Sequence, residues 1–183
     1  KEGNIYGLVG NNGSGKTMLM KCMCGFIRPT EGTVESNGKV IGRDVDYLPD
    51  AGVIIETPGF IPYYSGFQNL KVLAGIKNKI SAKEIREAIQ TVGLDPDLKL
   101  PVKKYSLGMR QRLGLAQAIM ENPSVLILDE PMNGLDKNGV EEIRKLLLFM
   151  KDERKIIVIA SHNAEDIRVL CDEVHEMEQG ELI

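Results

Sequence analysis

Hydrophobic positions along this chain alternate between two periodicities. Short aliphatic or β-branched runs at Ile5–Val9, Gly52–Ile55, Val125–Leu128 and Ile156–Ala160 read as strands, and the stretches between them carry longer helical patterns. That alternation predicts an α/β domain built on a largely parallel sheet. The last two runs are apolar throughout, as strands covered on both faces are. Asn37-Gly38, set between Thr33–Ser36 and Lys39–Ile41, predicts a hairpin, and Gln179-Gly180 between Val174–Glu178 and Glu181–Ile183 predicts a second one at the end of the chain.

The middle third changes character. Ser65-Gly66-Phe67-Gln68 and Ser81-Ala82-Lys83-Glu84 each fit a capping box, in which a serine hydroxyl and an acid or amide three residues on satisfy each other's backbone N–H groups. Each opens a helical pattern. A third helix is expected after Ser106, with apolar residues at Met109, Leu113, Ala116, Ile119 and Met120, ending near Asn122-Pro123 because proline blocks its continuation. A helical insertion over 57–121 therefore interrupts an α/β core made of 1–56 and 122–183. No repeat, low-complexity tract or linker breaks this pattern.

Composition narrows the choices only a little. The chain has 183 residues, is 43% hydrophobic and carries a formal net charge of −3, so no overall cationic field invites nucleic acid, and none is expected as a partner. Cys22, Cys24 and Cys171 are odd in number and lack the spacing of a redox or zinc pair, and are read as reduced, buried thiols. No apolar run approaches the ~18 residues of a membrane span, so a cytoplasmic location is the default expectation. The chain opens at Lys1-Glu2-Gly3 and enters a strand almost at once; strands preceding it are expected to be missing from this sequence.

Chemistry enters at Gly10-Asn11-Asn12-Gly13-Ser14-Gly15-Lys16-Thr17, a match to G-x-x-x-x-G-K-[ST] placed between the first strand and a helical pattern over Thr17–Cys24. Glycines let such a loop wrap with its N–H groups turned inward, and the helix end that follows adds positive potential. Lys16 then reaches the β- and γ-phosphates and the Thr17 hydroxyl binds Mg²⁺, with Met18 in the same first turn. Val125–Leu128 runs into Asp129-Glu130. Ligands of parallel sheets sit beside the strand ends, which puts Asp129 in reach of Mg²⁺ and Glu130 in place to act on an attacking water.

With these elements the chain resembles the ATP-binding cassette family over nearly its whole length. The family's signature, Leu-Ser-Gly-Gly-Gln in its usual form, stands here as Tyr105-Ser106-Leu107-Gly108-Met109, 23 residues before Asp129; Pro131 to Asp136 look like its D-loop, and His162 after an apolar strand looks like its switch histidine. The resemblance implies an ATPase that binds ATP and Mg²⁺. It also implies a head-to-tail pair of nucleotide-binding subunits, most simply two identical ones, and a separate transmembrane permease. In such a pair Ser106 and Gly108 face the γ-phosphate held by the other subunit, while Lys16, Glu130 and His162 carry catalysis. The Q-loop glutamine is replaced by Glu56, still an oxygen ligand for Mg²⁺; Gln68 is the rival position, although its capping role accounts for it. Glu56 together with Ser-Leu-Gly-Met is similar to the ATPase subunits of bacitracin- and lantibiotic-type peptide exporters. The family stacks adenine on an aromatic residue upstream of the phosphate loop, where only nine residues precede Gly10 and Tyr6 lies within the strand.

Two matters stay open at this level. Phe60, Tyr63, Tyr64 and Phe67 either face a permease or pack into the insertion's own core. The basic residues of Lys71–Arg86 and Lys99–Arg112 are either a solvated face or, if the chain is instead a cassette ATPase acting on DNA or ribosomes, a nucleic-acid contact. A phosphate-loop kinase would leave Ser106–Arg112 and His162 without a role.

Overall fold

Five parallel strands and one antiparallel edge strand form the sheet of the computed structural model, which describes residues 1–183. In chain order the elements are β1 (Ile5–Val9), α1 (Lys16–Cys24), β2 (Glu35–Ser36), β3 (Lys39–Val40), β4 (Ala51–Ile54), α2 (Gly66–Lys77), α3 (Ala82–Thr91), α4 (Leu107–Ile119), β5 (Val125–Asp129), α5 (Lys137–Asp152), β6 (Ile156–Ala160), α6 (Ala164–Leu170), β7 (Glu173–Glu178) and β8 (Glu181–Leu182). The sheet order is β4-β5-β6-β1-β7-β8, with β2 and β3 paired separately. Strand β6 lies between β5 and β1, and Ala160 is level with both Asp129 and Leu8. The segments leaving β1, β5 and β6 therefore emerge side by side at one edge, which is where the chemistry-bearing loops sit.

Both faces of the sheet are covered, which explains the unbroken apolar runs. Leu126 and Leu128 of β5 face the larger core with Ile157, Ile159, Leu113 and Leu147, while Ile127 between them faces Leu8, Met20 and Cys24 under α1. All three β5 residues are fully buried. Burying side chains of this size stabilises the fold by roughly 1.5–3 kcal/mol each before chain entropy is counted.

The helices begin where their caps say they should. Ser65 accepts from the Gln68 N–H at 3.2 Å and its own N–H donates to the Gln68 side chain at 2.9 Å. The Ser81–Glu84 box has the same reciprocal pair, and the Ser106 hydroxyl accepts from the Met109 N–H at 3.1 Å. Helices α2, α3 and α4 pack on one another, and α4 lies against β4. There a Cβ on Gly52 would fall 2.0 Å from the Ala118 carbonyl oxygen, so glycine sets the separation.

Several boundaries differ from the sequence expectation. Helix α1 starts one residue earlier, at Lys16, and α4 closes with Met120 as its cap, short of Pro123. Strands β2 and β3 hold two residues each, because Thr33 and Glu35 are exposed and nothing packs there to extend the pairing. Strand β4 leaves the sheet after Ile54, placing Ile55 and Glu56 in the connection to α2. Helices α5 and α6 are not singled out by the periodic reading. The first follows directly on the D-loop, capped by the Asp136 carboxylate at 2.9 Å from the Gly139 N–H; the second has only seven residues.

Of the three cysteines only Cys24 is fully buried, Cys22 and Cys171 being half-buried, and all are free thiols. The four aromatics divide: Phe60 and Phe67 pack against the main core, whereas Tyr63 and Tyr64 are exposed beside Ile61. Part of the basic stretches is paired with acids: Lys77 with Glu121, Lys83 with Glu87, Arg86 with Asp97 and Arg112 with Glu142. No helix is long and apolar enough to cross a membrane.

Candidate nucleotide site

Backbone geometry makes the phosphate loop possible. Gly10 has φ +143° and Gly15 φ +108°, conformations that residues with a Cβ rarely adopt. At Gly10 a Cβ would also lie 2.2 Å from the Met177 carbonyl oxygen, where the terminal β7–β8 hairpin closes over the loop. Helix α1 starts with Gly15 as its cap residue and no side chain bonded to its first N–H groups. A helix end without a side-chain cap presents several N–H donors and a positive end, a match for a phosphate.

Lys16 strengthens that match. It is 8% exposed, and its ammonium donates to the carbonyls of Gly10 at 2.7 Å and Asn11 at 3.1 Å. No carboxylate pairs with it, and a buried cation without a counter-charge is costly; a phosphate would supply one. Ser14 Oγ is buried and has no hydrogen-bond partner. It is a second polar group in the loop available to a ligand.

Beside the loop, the Thr17 hydroxyl donates to Asp129 Oδ2 at 2.8 Å, joining the first turn of α1 to the end of β5. A hydroxyl and a carboxylate oxygen at hydrogen-bond distance are the hard donors that Mg²⁺ takes from P-loop proteins, so these residues fit that ion. Glu130 follows in the left-handed region at φ +49°, a strain on the order of 1–3 kcal/mol that surrounding contacts must offset. Its N–H donates to the Ala160 carbonyl at 2.9 Å. The carboxylate accepts from the His162 N–H at 3.0 Å and lies 2.9 Å from His162 Nδ1. The histidine thus holds the carboxylate it neighbours.

Lys16, Thr17, Glu56, Asp129, Glu130 and Gln111 line one cleft of about 450 Å³, together with Asn12, Gly13, Gly15 and Met18 of the loop and first turn. Gly10, Asn11 and His162 line an adjoining cavity of about 770 Å³. Ser106 and Gly108 line neither. Gly108 instead abuts the D-loop, where a Cβ would stand 2.8 Å from the Gly134 carbonyl oxygen; Leu107, in the place of the signature's first glycine, packs against Gly134.

Glu56 lines the same cleft but makes no hydrogen bond to Thr17 or Asp129. Its carboxylate is bonded to Lys21 Nζ at 2.6 Å, and its backbone is left-handed at φ +61°. Lys21 is invisible to motif reading because helical periodicity shows it only as a polar position. Gln111 lies in the continuation of the signature, Ser106–Arg112, but the motif gives it no role. Its side-chain amide donates to the Glu130 carbonyl at 3.1 Å and the Pro131 carbonyl at 3.0 Å, 19 and 20 residues away.

Loop, lysine, threonine and strand-end acids define a phosphate-loop nucleotide-binding protein. The family model described as ABC transporter matches residues 1–133. The whole chain is 45% identical to the ABC transporter ATP-binding protein YybJ of Bacillus subtilis, covering 84% of that protein. It is 42% identical to the bacitracin transport ATP-binding protein BcrA of Enterococcus faecalis, covering 60% of it, and 37% identical to the lantibiotic transport ATP-binding protein SrtF of Streptococcus pyogenes, covering 78%. In fold it superposes with TM-score 0.87 on an ATP-binding cassette solved as a dimer in a post-hydrolysis state bound to ADP and Pi. That match has 22% identity and covers all of this chain and 84% of the other. The chain belongs to the ATP-binding subunits of ABC transporters, an ATPase family.

Proposed function

We propose that this chain binds Mg-ATP between two copies of itself, closes with its partner, hydrolyses the nucleotide and transmits that closure to a separate permease. The observation that carries the reading is the convergence of Lys16, Thr17, Asp129 and the Glu130–His162 pair on the edge formed by β1, β5 and β6. Lys16 and the N–H groups of α1 receive the phosphates. Thr17 and Asp129 would hold Mg²⁺, which when bound neutralises developing phosphate charge. Glu130 takes a proton from, or orients, the attacking water, with His162 fixing the carboxylate and contacting the γ-phosphate. Ser106 and Gly108 serve the other subunit's nucleotide, in keeping with their position outside this chain's own cleft. Glu56, bonded to Lys21, lies at the edge of the cleft where its free oxygen can approach Mg²⁺.

Exposed Ile61, Tyr63 and Tyr64 of the insertion 57–121 offer the permease an apolar contact. A chain working on such a permease would sit at the cytoplasmic face of a membrane. The names of the relatives favour an exporter of antimicrobial peptides. An action on DNA or ribosomes is less well served, because the chain carries a net charge of −3 and four of the basic residues in these stretches are paired with acids.

Replacing Glu130 by Gln tests the assignment. Turnover should fall by about 10²–10³-fold while ATP is still bound, as measured by phosphate release and equilibrium nucleotide binding. Near-normal turnover in this variant would overturn the assignment of Glu130.

A further inference from the structure

We infer that Gln111 is a positioning residue for ATP hydrolysis: its amide holds the backbone of Glu130 in the conformation that aims the carboxylate. The inference rests on the proposed role of Glu130. Two backbone constraints oppose that conformation. Glu130 is left-handed at φ +49°, and it precedes Pro131, whose ring drives the preceding residue toward extended φ and ψ. Proline also has no N–H with which to tie the turn down. The carbonyls on either side of the Glu130–Pro131 bond must therefore be fixed from outside.

Gln111 does this with a single group. Both protons of its amide are engaged, one on the Glu130 carbonyl and one on the Pro131 carbonyl, and the Glu130 carbonyl takes a second bond from the Asn133 N–H at 3.1 Å. With the Glu130 N–H on Ala160 and the carboxylate on His162, every polar group of Glu130 is engaged. Only the Gln111 contact comes from α4; the others come from β6, the His162 segment and the D-loop. The same helix starts at Ser106. One rigid element thus joins the helix end offered to the second nucleotide with the carboxylate serving the first.

The chemistry prescribes the side chain. Two acceptors converge on one site, so the site calls for a two-proton donor. Leucine keeps the volume and provides no donor; a glutamate provides none when ionised and one when protonated.

The test uses the full protein and three variants. Gln111→Leu should lower kcat by about 10–100-fold, with KM for ATP and the affinity for a non-hydrolysable ATP analogue within about threefold of the parent. The Gln111 amide, although it lines the cleft, is engaged with the Glu130 and Pro131 carbonyls, and the phosphate loop is untouched. Gln111→Glu should be equally impaired at about pH 8 and recover relative to the parent toward about pH 6, because an acid facing two carbonyls is favoured in its protonated form. The Leu variant should show no such recovery. A kcat for Gln111→Leu within about threefold of the parent would overturn the inference, as would a loss shared equally between kcat and nucleotide binding. Glu130→Gln, measured alongside, separates the two claims. If it abolishes turnover while Gln111→Leu does not, only the positioning role fails; if it turns over normally, the reading on which that role rests fails.

Discussion

Three residues show how burial and charge tune individual groups in this chain. Burial raises the Cys24 thiol to about 11 and, with Asp172 and Asp166 nearby, the Cys171 thiol also to about 11. Because the thiolate is the nucleophile, both should resist alkylation at about pH 8, and Cys22 should be labelled first by iodoacetamide when peptides are mapped over time. Asp172 runs the other way. Burial alone would raise its carboxyl, but the Ile5 N–H at 2.8 Å and the Lys151 ammonium together hold it below the usual carboxylate range. A carboxyl depressed in the folded state adds stability that is fully present above its unfolded value and is lost as pH falls through the folded one. Asp172→Asn should therefore destabilise the protein at neutral pH and have little effect once both forms are protonated, as read from melting temperatures between about pH 7 and about pH 3. Glu130 and Gln111 bring out the limit of motif reading at this scale. The acid is found because it ends an apolar strand; the amide serving it lies in another element, and the signature's spacing does not reveal that the two touch.

At the scale of elements, strands and capped helices are legible because their signals are local. Strand β5 is a run of apolar residues, α2 and α3 carry both halves of a capping box, and α4 starts on its serine. What holds α5 to α6 is not local. Arg144 of α5 and Asp166 of α6 are buried together, bonded at 2.9 and 2.6 Å, and Asp166 also accepts from the Ser161 hydroxyl next to His162. Removing Asp166 takes away the buried partner of Arg144 but leaves Glu141 at 2.9 Å and Glu165 at 3.4 Å beside the guanidinium, whereas replacing both buried groups with apolar ones can be neutral. Asp166→Ala should cost about 1–3 kcal/mol, and Arg144→Met with Asp166→Leu less. A thermal-unfolding double-mutant cycle with additive single effects would contradict this. The insertion meets the sheet through another non-local contact, Gly52 against the Ala118 carbonyl. Gly52→Ala must push α4 away from β4, an overpacking cost of about 1–3 kcal/mol, measurable as a lower urea midpoint with an unchanged slope.

For the whole molecule, the order of the motifs identifies the class, because phosphate loop, signature, acidic strand and histidine each require the others' chemistry. Their assembly is less legible, since the composite site proposed above is divided between polypeptides. Within one chain, Lys16 and Glu130 share a cleft while Ser106 and Gly108 lie outside it, with Gly108 held against Gly134 of the D-loop. Under the proposed function the capped end of α4 serves a phosphate brought by the other subunit. Nucleotide should therefore drive association, and blocked hydrolysis should preserve it. Glu130→Gln with Mg-ATP should sediment as a dimer and return to monomer when nucleotide is removed. Adding Ser106→Glu places negative charge where a γ-phosphate would dock, so like charges meet at the interface. That double variant should still bind ATP, since Lys16 and the α1 end are untouched, yet remain monomeric. A dimer that persisted with Ser106→Glu, at the same protein and nucleotide concentrations, would mean that the chains associate through some other surface and that each cleft works alone.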